Sequence, residues 1–152
     1  MTPLWLAWAI RRRVFALLRV RTRGVKVMVE NAAGEVLLVR NAYGKHWQWV
    51  LPGGGVGWRE READAAAREL REETGCRADG LALFATYVSA LEGRRDTIHL
   101  FRATTADAPQ ADAREVAEAA FFAQDRLPKD TSPATLRRLA EVFRAAEVSP
   151  HW

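Results

Sequence analysis

Between Gly54 and Cys76 the glycines and acids stand at intervals too regular for a loop and too unfavourable for an ordinary helix. The end of this stretch, RELREETGC, Arg68 to Cys76, puts Glu69, Glu72 and Glu73 within five residues. The pattern predicts a helix from about Arg59 to Glu73, stopped by Gly75, with Ala63, Ala66, Ala67 and Leu70 as its buried stripe. At 3.6 residues per turn the three glutamates share an arc of about 100° beside that stripe. Glu69 and Glu73 form an i, i+4 like-charge pair, unfavourable by a few tenths of a kcal/mol, roughly. They also lie at the helix C-terminus, where the macrodipole disfavours negative charge. A hard divalent cation would reverse this balance, because carboxylate oxygens are preferred ligands of Mg²⁺ and Mn²⁺. The plain alternative is a solvated face of paired arginines and glutamates, with Arg68 beside Asp64 and Glu72 at helical spacing.

A chain of 152 residues, 49% hydrophobic and 28% charged, fits one globular domain with a real core. Cys76 is the only cysteine, so no internal disulfide forms, and a cytoplasmic location is expected. The formal charge of +4 is unevenly spread: residues 1–23 hold six arginines and no acid, leaving 17 basic and 19 acidic side chains elsewhere. A near-neutral body gives no electrostatic footprint for a stable nucleic-acid complex.

Residues 1–23 are predicted to form a separate basic amphipathic helix ahead of a domain over 24–152. Leu4, Leu6, Ile10, Val14, Leu17 and Leu18 share an apolar arc opposite Arg12, Arg13 and Arg19. Arg11 to Arg13 interrupt the apolar run, which falls short of the ~18 residues of a membrane span. The segment also lacks the ordered regions and cleavage site of a secretory signal. Such a helix could lie on an anionic membrane or a partner protein, making the chain membrane-peripheral, or cover its own domain or the mate in a homodimer.

Alternating Val25, Val27 and Val29 read as a strand, and the turn Asn31 to Gly34 joins it to a second strand at Val36 to Arg40 as a hairpin. NAYGKHWQWVLPGGGVGW reads as an aromatic, glycine-rich loop around a short apolar piece. Further strands are predicted at Leu81 to Ser89, Thr97 to Ala103 and Val116 to Ala123, with a polar, mobile loop at about Thr104 to Ala113. TSPATLRRLAEVFRAAE reads as a closing helix with Ser132 as N-cap and Pro133 in its first turn. Its packing face is read as Leu136, Leu139, Ala140 and Phe143.

The wider spacing decides between the two readings of the acids. Gly54, five residues, Glu60, seven residues, Arg68-Glu69-Leu70, one residue, Glu72-Glu73, one residue, Gly75 resembles the box that defines the Nudix hydrolase family. Similarity continues in GEVLLVRN and WVLPGGG upstream and in EVAEAAFFAQDRLP downstream. The resemblance implies an α+β fold, a mixed β-sheet between helices in an α/β/α sandwich. It also implies metal-dependent hydrolysis of a pyrophosphate bond in a nucleoside diphosphate-linked substrate, with Mg²⁺ or Mn²⁺ as cofactor and a nucleotide-type small molecule as partner. A non-catalytic nucleotide-binding or regulatory module with the same fold is the alternative.

By position in the box, Glu69, Glu72 and Glu73 would be metal ligands and catalytic residues, with the Gly53 or Gly54 carbonyl as a further ligand and Arg68 steadying the glutamates. Gly53, Gly54 and Gly55 would let the backbone approach phosphates, and Trp47, Trp49, Tyr43 or Trp58 could stack on a base. Glu60 would tie the loop to the helix, and Glu60, Glu115 and Glu118 are candidates for an additional base or ligand. Three positions depart from the family pattern: Arg59 replaces a usual glycine, Gly57 a frequent acid, and Cys76 a larger aliphatic. The sequence lacks the markers of ADP-ribose, diadenosine polyphosphate, NADH and coenzyme A subfamilies.

Overall fold

Val25, Val27 and Val29 are fully buried toward one side of the sheet and Met28 toward the other, so the first strand is covered on both faces. The computed structural model describes residues 21–90 and 95–152. Its elements are β1 (Arg21–Glu30), β2 (Val36–Asn41), β3 (Trp49–Val50), β4 (Gly53–Gly55), α1 (Glu62–Thr74), β5 (Asp79–Ser89), β6 (Arg95–Thr104), β7 (Val116–Phe122) and α2 (Pro133–Phe143). The expected N-terminal helix falls on residues 1–20, outside the described residues, while residues 21–23, expected to belong to it, lie in β1.

The strands form a mixed sheet in the order β3-β2-β1-β6-β5, with β4 pairing β1 and β7 pairing β2. β1 runs parallel to β6 from Arg21↔Arg95 to Glu30↔Thr104, and most remaining pairs are antiparallel. The predicted hairpin is only partly made. β1 and β2 meet at Glu30↔Val36 and then diverge, because β2 turns its edges to β7 and β3. β5 pairs with β6 through two register shifts, at Asp79/Ala82 and Leu83/Ala85.

Among the described residues each face carries one helix, the expected α/β/α sandwich. α1 packs Ala65, Ala66 and Leu70 on Val25, Val27, Val29, Leu37 and Phe101. Cys76 is fully buried in this same layer, so the smaller side chain at its position is absorbed by the core. α2 covers Met28, Leu38, Leu51, Tyr87 and Leu100 through Leu139. The loop before β7 is pinned under α1: Arg77 N–H donates to Asp107 (2.8 Å) and Gln110 N–H to the Thr74 carbonyl (2.8 Å).

Three details of α1 differ from the sequence reading. It begins at Glu62 because Arg59 sits in the left-handed region, φ 59°, which a right-handed helix cannot include. The family pattern's glycine at this position is thereby explained, since only glycine occupies that region without a Cβ penalty. Ala67 is exposed and Ala65 takes its place in the core, which turns Glu69 and Glu73 into the buried face. Arg68 pairs with Glu60 rather than Asp64, whose carboxylate is taken by Arg61.

α2 is capped as expected, with Ser132 accepting from Thr135 N–H, but it ends at Phe143 and turns Leu136 outward. Arg138 occupies the packing face instead. It is fully buried, 2.8 Å from Glu141, with its guanidinium carbon 4.1 Å from the centre of the Tyr87 ring. Tyr87 Oη donates to Glu141 (2.6 Å), Arg138 donates to the His151 carbonyl (3.0 Å), and Trp152 closes the cluster edge-on to Tyr87. The segment around His151 bridges to Val88 on β5. No apolar periodicity could disclose a charged pair at the centre of a core.

Arg59→Gly should raise stability by up to about 1 kcal/mol in chemical denaturation by removing a left-handed Cβ; a lowered midpoint would contradict this. Arg138→Met should lower it by about 3–5 kcal/mol by stranding Glu141, and adding Glu141→Leu should recover much of the loss. A double variant no better than the single one would mean that the packing, not the stranded charge, matters.

Candidate active site

The three β4 glycines are a strand, not the expected loop, and they pair with Gly24, Val25 and Lys26 of β1. A strand without side chains lets α1 settle closely over it. A Cβ on Gly54 would stand 2.5 Å from the Glu69 carboxylate, and one on Gly53 would stand 2.0 Å from the Val25 carbonyl. Glu69 and Glu73 fill the groove this leaves, although both are charged side chains on a packed helix face.

Arg68 organises the helix side of the groove. Its Nε donates to Glu60 (2.8 Å), Nη1 to Glu69 (2.8 Å) and Glu72 (3.1 Å), and Nη2 to Glu60 and the Gly55 carbonyl (both 3.0 Å). All five guanidinium N–H groups are thus used. Glu60 also accepts from Gly57 N–H (2.7 Å), which ties the loop to the helix as the sequence suggested. Hydrogen bonds from Arg68 and then Gly57 hold the Glu60 carboxyl down to about 2. At Gly57, where the family often has an acid, an added Cβ would stand 3.0 Å from the Glu60 carboxylate, so the missing side chain leaves room for this contact.

Glu73 is different. Its carboxylate accepts from Gly53 N–H (3.0 Å), yet burial, aided by Glu69 and Glu115, pushes it up to about 7. Burial also raises Glu69, against the pull of Arg68. Glu72 is tethered to Arg68 and its side chain is more than half exposed.

Glu69, Glu73 and Arg68, but not Glu72 or Glu60, border a cleft of about 490 Å³ that also takes in Lys26, Tyr43 and Glu115. Glu118 stands apart: it pairs with Arg40 across β2 and β7 and does not line the cleft. Trp58, 88% exposed under the Arg59 guanidinium, and Trp47, half exposed beside His46, also lie outside its lining. Trp49 is committed to the core edge-on to Phe122. The aromatic side chain that does reach the cleft is Tyr43.

Sequence reading missed Lys26. It lies between Val25 and Val27 on a strand covered from both sides, and a lysine within such a strand was the available signal. Its Nζ donates to the Leu51 carbonyl (3.0 Å), and burial lowers its proton affinity against the opposing influence of Glu73 and Glu69.

A cluster of oxygen donors suits a hard divalent ion, and Glu69 and Glu73 are buried carboxylates whose ionised forms lack full compensation. Among the described residues no three acids already converge on one point. Arg68 draws Glu69 and Glu72 to itself, and Gly53 holds Glu73. Glu69, Glu72 and Glu73 could hold a metal only by giving up some of these contacts.

Comparison with known proteins agrees with this architecture. The family model described as NUDIX domain matches residues 20–143. A Bacillus subtilis (strain 168) protein named "Putative 8-oxo-dGTP diphosphatase" is 32% identical over 127 residues, 83% of either chain. The crystal structure of a MutT NUDIX hydrolase from Burkholderia pseudomallei superposes with a TM-score of 0.72 at 25% identity, covering 82% of this chain and 99% of that one. A MutT protein from Methanosarcina mazei Go1 shares the fold, with a TM-score of 0.68 at 23% identity over 82% of this chain and 94% of that one. The chain belongs to the Nudix family and is a Nudix-type pyrophosphohydrolase.

Proposed function

We propose that the protein hydrolyses the pyrophosphate bond of a nucleoside diphosphate-linked substrate in the groove between α1 and β4, with Mg²⁺ or Mn²⁺ as cofactor. The observation that carries this is the burial of Glu69 and Glu73 against the glycine strand, where two carboxylates are held at a cost in ionisation that a divalent cation would relieve. A regulatory module that only bound nucleotides would gain nothing from that cost. The name borne by the Bacillus subtilis relative makes nucleoside triphosphates, oxidised ones included, the first substrates to try.

Glu69, Glu72 and Glu73 would hold the metal, with the Gly53 carbonyl as a further donor. When bound, the ion supplies Lewis-acid polarisation of the phosphoryl oxygens. The β4 backbone, free of side chains, admits the phosphates to the groove. Arg68 keeps Glu69 and Glu72 together and, with Glu60, fixes the end of β4 at Gly55 and the loop after it at Gly57. A cleft-lining carboxylate, Glu69, Glu73 or Glu115, takes the proton from the attacking water. Glu60, with both oxygens engaged, is a positioning residue.

Hydrolysis of a nucleotide panel, read as the nucleoside phosphate and the second phosphate-bearing product by chromatography, should require Mg²⁺ or Mn²⁺, and Glu69→Gln or Glu73→Gln should lower kcat by on the order of 10²-fold or more with the fold intact by circular dichroism. Absence of metal-dependent turnover on any nucleotide would overturn the proposal. A pH series tests Glu73 separately. Its proton affinity is raised in the folded state, so ionisation costs metal-free stability as pH climbs from the ordinary 4.5 to about 7. Glu73→Gln should therefore melt above the metal-free wild type at pH 8, with the advantage gone near pH 4.5. Equal melting temperatures at pH 8 would show that burial does not strain this carboxylate.

A further inference from the structure

Two cations line the cleft, Arg68 and Lys26. Arg68 has no donor to spare, because all five of its N–H groups are bonded to Glu60, Glu69, Glu72 and the Gly55 carbonyl. Lys26 carries three N–H donors and commits one among the described residues, to the Leu51 carbonyl at 3.0 Å. No carboxylate among the described residues comes within ion-pair distance of it, although Glu73 and Glu69 are near enough to favour its charge. We infer that Lys26 is a substrate-binding residue, whose ammonium takes a phosphate oxygen of the anionic chain and fixes that chain against Glu69 and Glu73. This rests on the hydrolase reading above and extends it to a residue outside the acid-bearing helix.

The geometry favours a ligand over a structural role. A lysine that merely balanced the acids would close an ion pair with Glu73, whereas this one is anchored to a backbone carbonyl with two donors left among the described residues. Its stem passes over Gly53, where an added Cβ would stand 2.9 Å from Lys26 Cδ, so the absent side chain of Gly53 makes room for the lysine as that of Gly54 does for Glu69 of α1. Its register opposite Gly53 places it at the strand whose carbonyls and N–H groups line the groove. A phosphate between the acids and Lys26 would meet fixed positive charge on the side away from α1.

The test compares wild type with Lys26→Met, which keeps an unbranched stem and removes the charge, and with Lys26→Gln. Affinity for α,β-methylene-dGTP in the presence of Mg²⁺, measured by titration calorimetry, should fall by about 10- to 100-fold in both variants, with KM for the corresponding triphosphate rising in step. Affinity for Mn²⁺ alone, followed by the resonance of the free ion, should hold or tighten, because a repelling charge has been removed from beside Glu69 and Glu73. The opposite signs distinguish phosphate binding from support of the acid cluster, whose loss would weaken both ligands. Lys26→Arg should bind the analogue better than either neutral variant. Unchanged analogue affinity in Lys26→Met and Lys26→Gln at undiminished melting temperature overturns the assignment. Binding of the analogue by wild type without turnover of any nucleotide overturns the hydrolase reading and leaves the lysine assignment to be judged on affinity alone.

Discussion

The distance at which α1 rides over β4 governs the rest of the site. The absence of a Cβ at Gly54 removes the atom that would hold the helix off, since it would stand 2.5 Å from the Glu69 carboxylate, and the space gained goes to that carboxylate rather than to hydrocarbon. Glu69 and Glu73 accordingly occupy positions that Ala65, Ala66 and Leu70 define as core on the same helix. Their partial desolvation follows from packing and not from any charged neighbour. Desolvation is also what sharpens a carboxylate's demand for a cation.

Arg68 makes this arrangement tolerable in the absence of a ligand. A planar guanidinium with five donors can serve three carboxylates and a carbonyl at once, which an ammonium could not. Glu60 gains most from it and stays ionised far into acid, while Glu73, beyond its reach, holds a proton near neutrality. Neighbouring acids on one short segment thus have divergent chemistry. Those that Arg68 satisfies shape the loop and the helix, and the one it leaves keeps the raised proton affinity.

Much of the scaffold was legible because it depends on local signals. Val25, Val27 and Val29 alternate, Ser132 and Pro133 cap, Gly75 terminates, and the spacing from Gly54 to Gly75 identifies the family. What stayed hidden depends on partners distant in sequence. The PGGG tract becomes a strand only because Gly24 to Lys26 offer it an edge. Ala65 supplants Ala67 because the helix starts after a left-handed Arg59, a conformation that arginine does not advertise. Arg138 enters the core because Glu141, Tyr87 and the segment ending at Trp152 meet it there. Of the aromatic stacking candidates, Trp58 and Trp47 stand outside the cleft and Tyr43 lines it, together with Lys26, which the sequence reading missed.

The two register shifts in β5 bear on how this sheet ends. An outer strand with regular pairing presents an even ladder of backbone donors and acceptors, onto which another extended chain can add. β5 is broken between Asp79 and Ala82 and again between Leu83 and Ala85, and near its far end Val88 already bonds to the segment around His151. Breaks of this kind bend and twist the strand, so the outer ladder is interrupted. The border of the sheet thereby discourages its own continuation into neighbouring molecules, even with Leu83 exposed along it.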